Sequence, residues 1–370
     1  NRRDRREASS IAPGWNPCHK PKPRILSLLL EGTRLTVIVS EDHGYRSWYH
    51  GYETDEATRP VIDDHSKLFI RVYNVSSVPI DGSPLQLLGE KEIKGNYDSA
   101  RSVGDTGLVV TTSHIKMWLF GNDLYRSDPR YCGMNSTEYV AAAGEVAQNI
   151  TGRFLERMLK DMQLQLGGTC DGIFQVAAMQ SGESDEDQSG GNLLSQFVQV
   201  LSFDMSSDFE NGTISTNVAG AFNSGWLSSV YASQGFVATL NQGSHYNSTT
   251  DSWDSATFIR GFNVTGATPV PFCYAEVKGR PGLPNNPYVT DLYQGHLRVV
   301  TTERRWRNVE GSRTTNKIFI LKVPKAGEGQ EMIQTAETEH LGKPNEGVEA
   351  VRFIGPKAYI VTFERTDPFY

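Results

Sequence analysis

Oxygen-bearing side chains at alternating positions are the first candidate for chemistry in this sequence. Asp185, Asp187 and Ser189 precede Gly190, as in the first half of a calcium-binding loop. Gln196 stands where such a loop carries a bidentate glutamate. Two interpretations stay open, a calcium site at these residues and a solvated acidic loop, and no other cofactor is predicted.

A second polar cluster lies in a long segment before the third strand of the first repeat. It combines residue types that bind transition metals: Asp42, His43, His50, Asp63, Asp64 and His65. The same segment is rich in Tyr and Trp, a composition that also suits contact with a sugar or a protein. A metal site, a binding surface and an ordinary exposed loop all remain possible readings of this cluster.

Motifs for catalysis are sparse. The sequence has no G-x-S-x-G elbow, no H-E-x-x-H pair and no Gly-Lys-Thr phosphate loop. Ser113 and Lys116 fit S-x-x-K but lack its companion motifs, so we attribute the match to chance. Glycoside hydrolysis needs two facing acids, for which Glu303, Glu337 and Glu364 are candidates, and spacing alone does not bring them together.

The cysteines and glycosylation motifs bear on the compartment. Cys132 and Cys170 flank a predicted helix and form the first predicted disulfide; Cys18 and Cys273 would pair by elimination, and four buried free thiols are the alternative. Six N-x-S/T sequons favour passage through a secretory pathway: Asn74, Asn135, Asn149, Asn211, Asn247 and Asn263. A competing explanation for the first and the last is a polar side chain that starts a turn at a strand end.

Composition excludes several classes of function. With 38% hydrophobic and 21% charged residues the chain is globular. Its net charge of -7 argues against a nucleic-acid partner, since phosphate binding needs a dominant basic face. No run approaches the ~18–20 apolar residues of a membrane span, so a membrane anchor is expected only outside these residues.

The elements that must position any site come from a repeat. Five copies of one hairpin pattern have inner strands centred on Ile38, Val110, Ala238, Val300 and Val361. The last three copies are spaced by about 60 residues. After each of the first four hairpins come a third and a fourth stretch of near-alternating apolar and polar residues, which predict strands with one buried face.

Four-stranded antiparallel units repeated radially predict an all-β fold of the β-propeller type, with separate sandwiches as the alternative. Four complete units are expected at about 24–95, 98–222, 227–279 and 290–342, followed by one hairpin at 348–363. Because the last unit stops after its hairpin, we expect the natural protein to continue.

The domain prediction has a tail at 1–23 and a partial propeller at 24–370. An insertion at 113–196 interrupts the second unit and contains an amphipathic helix at 137–166. Such a helix suits a lid or a partner-binding surface on one face of the disc, or simple coverage of apolar surface.

The sequence resembles the secreted bacterial and archaeal proteins that carry a β-propeller domain distantly related to WD repeats. The resemblance is carried by the first hairpin and by VYNV, IKG, SARSVGDTGLVVTT, YQGHLRVVTT and VEAVRFIGPKAYIVTFERTDPFY. It implies an extracytoplasmic protein and supplies no activity. The helical insertion and the density of sequons depart from that family and point to a eukaryotic version.

The sequence therefore predicts a secreted or lumenal module that binds a protein or carbohydrate ligand on the propeller face. The alternative is an extracellular carbohydrate-active enzyme, glycosidase- or lyase-like, that uses carboxylates or calcium. A surface-anchored structural protein is a third possibility. Carboxylates clustered at the channel mouth would favour the enzyme, whereas an aromatic-lined face poor in carboxylates would favour binding.

Overall fold

The structure, a computed structural model, is mostly β. It describes residues 23–41, 62–63, 67–76, 82–115, 134–165, 173, 194–207, 209–247, 252–283, 286–305, 313–325, 328–343 and 345–363. Its strands in chain order are β1 (Arg24–Glu31), β2 (Arg34–Glu41), β3 (Ile62–Asp63), β4 (Lys67–Asn74), β5 (Gln86–Ile93), β6 (Asn96–Val103), β7 (Thr106–Ile115), β8 (Leu194–Asp204), β9 (Asn217–Ser224), β10 (Trp226–Ser233), β11 (Phe236–Asn247), β12 (Ser252–Asn263), β13 (Val270–Lys278), β14 (Arg280–Pro281), β15 (Thr290–Tyr293), β16 (His296–Arg305), β17 (Arg313–Lys322), β18 (Ile333–Glu337), β19 (Gly347–Ile354) and β20 (Lys357–Phe363).

The strands form antiparallel sheets that we call blades. The first four blades have the orders β1-β2-β4-β5, β6-β7-β8-β9, β10-β11-β12-β13 and β15-β16-β17-β18, and β19 pairs with β20 in a fifth. The short strands β3 and β14 extend the second and fourth blades by pairing with β7 and β16. The prediction of four four-stranded units and a final hairpin is confirmed.

The core lies in layers between consecutive blades. In the first layer, Ile38 and Ile70 of the first blade pack with Val109, Leu201 and Phe203 of the second. Similar apolar clusters join the second blade to the third, the third to the fourth, and the fourth to the final hairpin. Near-alternation along each strand produces this arrangement, because successive side chains point to opposite faces of the sheet.

One backbone hydrogen bond recurs in every complete blade. The residue after the third strand donates its N–H to the turn of the first hairpin, and the donors are Val75, Met205, Val264 and Val323, at 2.7–3.0 Å. It locks the third strand to the hairpin turn in each of these blades. We call the side of the molecule that carries these turns the turn face.

A long helix, α1 (Ser136–Gln165), follows β7 in the chain and precedes β8. The helix begins one residue before the predicted start at 137 and ends one residue before the predicted end at 166. Asn135 caps it: its Oδ1 accepts the N–H groups of Thr137 and Glu138 at 3.0 Å, and Glu138 accepts the N–H of Asn135. The helices in the described part of the chain are too short or too polar to cross a membrane.

The face of β20 that points away from the fourth blade is apolar and exposed. Tyr359, Val361 and Phe363 are each more than half exposed there. At the same distances from the hairpin turn in the third blade, Ala238 and Leu240 are fully buried against the fourth blade. This face of the final hairpin therefore has the character of a surface that contacts another blade.

Candidate ligand-binding cleft

Of the predicted metal ligands, only Asp63 lies in the part of the chain that the structure describes. It belongs to β3 and pairs with His114 of β7. Asp185, Asp187 and Ser189, and the rest of the second cluster, lie outside that part. Among the described residues, no three His, Cys, Asp or Glu side chains are grouped so that they could hold a metal ion.

The candidate acids do not meet. Glu303 lies on β16 and Glu337 on β18, with β17 between these strands, which separates the two by about 10 Å across the sheet. Glu337 is paired with Lys317, whose Nζ lies 2.7 Å from its Oε1. Glu364 lies outside the described residues.

Cys273 is the only cysteine among the described residues, and its thiol is free and fully buried. Burial raises its pKa to about 12. Cys18, its predicted partner, lies outside the described residues, as do Cys132 and Cys170.

Two of the sequon asparagines make turns, as the sequence suggested. Oδ1 of Asn74 accepts the N–H of Ser76 at 2.9 Å, and Oδ1 of Asn263 accepts that of Thr265 at the same distance. Asp204 does the same in the second blade. The other four lie at the start of α1 (Asn135), within it (Asn149), at an exposed turn (Asn211) and at the end of β11 (Asn247).

On the turn face, the grooves between neighbouring blades differ. Between the first two blades, Arg34 donates to the carbonyl of Ser207 and stacks on Phe209. Between the second and third blades, the carbonyl of Ala267 accepts hydrogen bonds from Ser202 and Asn217. These two grooves are therefore bridged.

The groove between the third and fourth blades is bridged too, because Tyr274 donates its N–H to the carbonyl of Gln330 and accepts that of Met332, both at 2.8 Å. Beside this bridge the groove leaves a cleft of about 450 Å³. Its volume falls within the range of small-ligand sites. Both blades contribute to its lining, which consists of Gln234, Gly235, Phe236, Asn263, Thr265, Phe272, Leu292, Gln294, Gly295, His296, Lys322, Val323, Pro324 and Lys325. The described lining holds two phenyl rings and no carboxylate.

Lys322 and Pro324 explain the different chemistry of this groove. Lys322 ends β17, at the position where the other complete blades carry a turn-forming Asn or Asp. The N–H that would bond to such a side chain belongs to the second residue after it, and Pro324 has none. The usual turn cannot form here, and the side chain at this position is a lysine that lines the cleft.

The cleft has an apolar base and a cationic rim. Phe236, the first residue of β11, is buried, and Phe272 is partly buried. Lys322 Nζ lies 3.8 Å from Glu328, an exposed pair that binds weakly. His296 Nδ1 lies 3.0 Å from the carbonyl oxygen of Gln294, so Nδ1 carries the proton and Nε2 is the ring nitrogen that this contact leaves available.

A smaller cavity of about 170 Å³ lies between β6 and β10, the first strands of the second and third blades. Asp98 lines it, at a bulge of β6, together with Arg101, Ser229 and Pro287. Burial raises the pKa of Asp98 to about 6, against smaller opposing effects of Arg101 and Ser99. It is the single carboxylate in the described lining, so the paired acids of a glycosidase are not assembled there.

Comparison with known proteins gives the family. A family model described as "Beta propeller domain" matches residues 8–370. An uncharacterized protein of Methanocaldococcus jannaschii is 40% identical over 83 residues, which span 22% of this chain and 12% of that protein.

Solved structures give weaker likenesses. The Trypanosoma rangeli sialidase is 11% identical, with 85% of this chain and 38% of the sialidase covered and a TM-score of 0.27. Bacillus subtilis levansucrase in complex with oligosaccharides is 8% identical, with 83% and 67% covered and a TM-score of 0.26. The chain thus spans well under half of the sialidase.

Proposed function

The chain belongs to the beta propeller domain family, and we propose that it works as a secreted or lumenal binding module. Its ligand, a protein or a carbohydrate, contacts the turn face and inserts one group into the cleft between the third and fourth blades. The observation that carries this proposal is the cleft itself, about 450 Å³ in volume and lined by both blades.

The lining of the cleft favours binding over catalysis. Phe272 offers aromatic surface beside the buried Phe236, and no carboxylate lines the described cleft. A carbohydrate-active enzyme would need a pair of acids, and Glu303 and Glu337 lie two strands apart. The secreted or lumenal location rests on the six sequons of the sequence, and glycan mapping of the protein from its native source tests it.

Fluorescence titration tests the cleft. N-phenyl-1-naphthylamine, an uncharged aromatic probe that brightens in apolar surroundings, serves as the ligand. Thr265→Trp places an indole in the cleft, and Ser76→Trp makes the same change at the corresponding turn of the first blade. We expect Thr265→Trp to weaken probe binding about tenfold and Ser76→Trp to leave it unchanged. Equal binding by both variants would overturn the proposal.

A further inference from the structure

The cationic rim of the cleft indicates the chemical class of the ligand that the cleft binds. Three basic side chains, His296, Lys322 and Lys325, line the cleft beside its apolar base, in a chain whose net charge is -7. Lys322 is the last residue of β17, Lys325 follows it three residues later, and His296 is the first residue of the neighbouring strand β16. All three therefore stand on the fourth-blade side of the cleft, opposite Phe236.

We infer that the group held in the cleft is an apolar moiety that bears an oxyanion, with the oxyanion on the Lys322 side and the apolar part on Phe236 and Phe272. This inference rests on the proposed function, since it names the chemistry of the same site. Charge-assisted hydrogen bonds to an oxyanion are roughly twice as strong as neutral ones.

The interaction that Lys322 already makes is weak enough for the lysine to bind such an anion. Glu328, the acid that lies beside Lys322, is exposed, and its Oε2 accepts the backbone N–H of Lys325 at 3.0 Å while it lies 3.8 Å from Lys322 Nζ. A long, exposed pair of this kind contributes little. A ligand oxyanion that approaches Lys322 therefore displaces no strong interaction.

The geometry of the turn keeps Lys322 in place. Val323 donates its N–H to the carbonyl of Gly295 at 2.9 Å, and Pro324 restricts the next backbone angle. The backbone from which Lys322 projects into the cleft lining is thus held by the hairpin.

The test compares two probes with the same aromatic body. 8-Anilino-1-naphthalenesulfonate carries a sulfonate, whereas N-phenyl-1-naphthylamine is uncharged. We expect the sulfonate probe to bind the wild-type chain about tenfold more tightly in its cleft, that is, in the component of binding that Thr265→Trp weakens. Lys322→Gln should remove this advantage.

A matched control comes from the first blade. Lys94 lies 3.3 Å from Glu92 in a comparable exposed pair, so Lys94→Gln changes the same net charge away from the cleft. It should leave the advantage of the sulfonate intact. If Lys94→Gln reduces it as much as Lys322→Gln, the effect is one of overall charge and the inference is overturned.

Displacement of the sulfonate probe distinguishes the sources of the oxyanion. N-acetylphenylalanine and phenyl glucuronide each join an aromatic ring to a carboxylate, the first as a protein group and the second as a sugar. Their uncharged counterparts are N-acetylphenylalaninamide and phenyl glucoside. We expect one acid to displace the probe at a concentration about tenfold below that of its uncharged counterpart.

The failures of the two proposals are distinguishable. If both probes bind the cleft equally, and the acids displace no better than their uncharged counterparts, the oxyanion is wrong and the binding cleft stands. If neither probe responds to Thr265→Trp, the cleft is not a binding site and both proposals fall.

Discussion

Pro324 lies two residues after Lys322, where the three preceding blades have a backbone N–H that bonds to the side chain at the strand end. In the fourth blade that donor is missing, so the side chain at 322 has no part in forming the turn. Lys322 therefore lines the cleft without forming a turn, whereas Asn263 on the other side of the cleft does both.

The first prediction concerns the contribution of these turns to stability. Asn263→Ala should lower the free energy of unfolding by about 0.5–1.5 kcal/mol, because it removes the hydrogen bond that Thr265 N–H donates. Lys322→Ala removes no such bond and should change it by about 0.5 kcal/mol or less. Urea denaturation measures both variants. Equal losses would contradict the assignment of different roles to the two positions.

A second prediction tests the packing of the third blade. A Cβ at Gly261 would lie 2.5 Å from Cys273 Sγ and 2.8 Å from Cε2 of Phe236. Gly261→Ala should therefore destabilise the protein by about 1–3 kcal/mol. Gly144→Ala, in α1 with open space around it, should stabilise by about 0.5–1 kcal/mol.

The same contact predicts coupling. Cys273→Ala removes the sulfur that the new methyl group would meet, so the double variant Gly261→Ala/Cys273→Ala should lose less stability than the sum of the two single variants. Thermal unfolding of all four proteins measures the coupling. Additive losses would show that the sulfur is not what crowds this position.

The third prediction concerns the thiol of Cys273. Because it is buried and its pKa is raised to about 12, we expect no reaction with a chromogenic disulfide reagent at pH 8 in the folded protein. After unfolding without reductant, Cys273 should be alkylated. Peptide mapping that instead recovers Cys273 joined to Cys18 would contradict the free thiol.

A pH dependence follows from Asp98. Its pKa is raised from 3.8 to about 6, so the folded state favours the neutral form; this contribution to stability is complete below about pH 3.8 and is lost as the pH rises through 6. Asp98→Asn should stabilise the protein by on the order of 1–2 kcal/mol at pH 7.5 and by little at pH 4.

Urea denaturation at the two pH values measures this difference. Asp105→Asn, at an exposed hairpin turn, is the control and should show no such dependence. A gain at pH 4 as large as that at pH 7.5 would show that the charge of Asp98 is not the cause.

The repeat allowed the blades to be predicted from the sequence, because alternation and turn residues act locally. The Asn at 74 and 263 could be assigned to turns for the same reason. The cleft could not be predicted: Phe236 and Lys322 are far apart in the chain, and their proximity depends on how two blades pack. The available signal was Lys322-Val323-Pro324, which breaks the repeat where other copies have Asn or Asp.

Acidic residues that could act in a site were harder to predict from the sequence than the blades were. Glu303 and Glu337 had the right residue type, but the order of strands in the fourth blade separates them. Asp98 drew no attention in the sequence, since its raised pKa comes from burial between two blades. Side chains that meet across blades leave no local pattern.

The most direct measurement of the central claim is a crystal structure of the chain grown with 8-anilino-1-naphthalenesulfonate. We predict that its rings lie on Phe236 and Phe272, with the sulfonate within hydrogen-bonding distance of Lys322. A probe bound only on the exposed apolar face of Tyr359, Val361 and Phe363, with the cleft empty, would contradict the assignment of the cleft as the binding site.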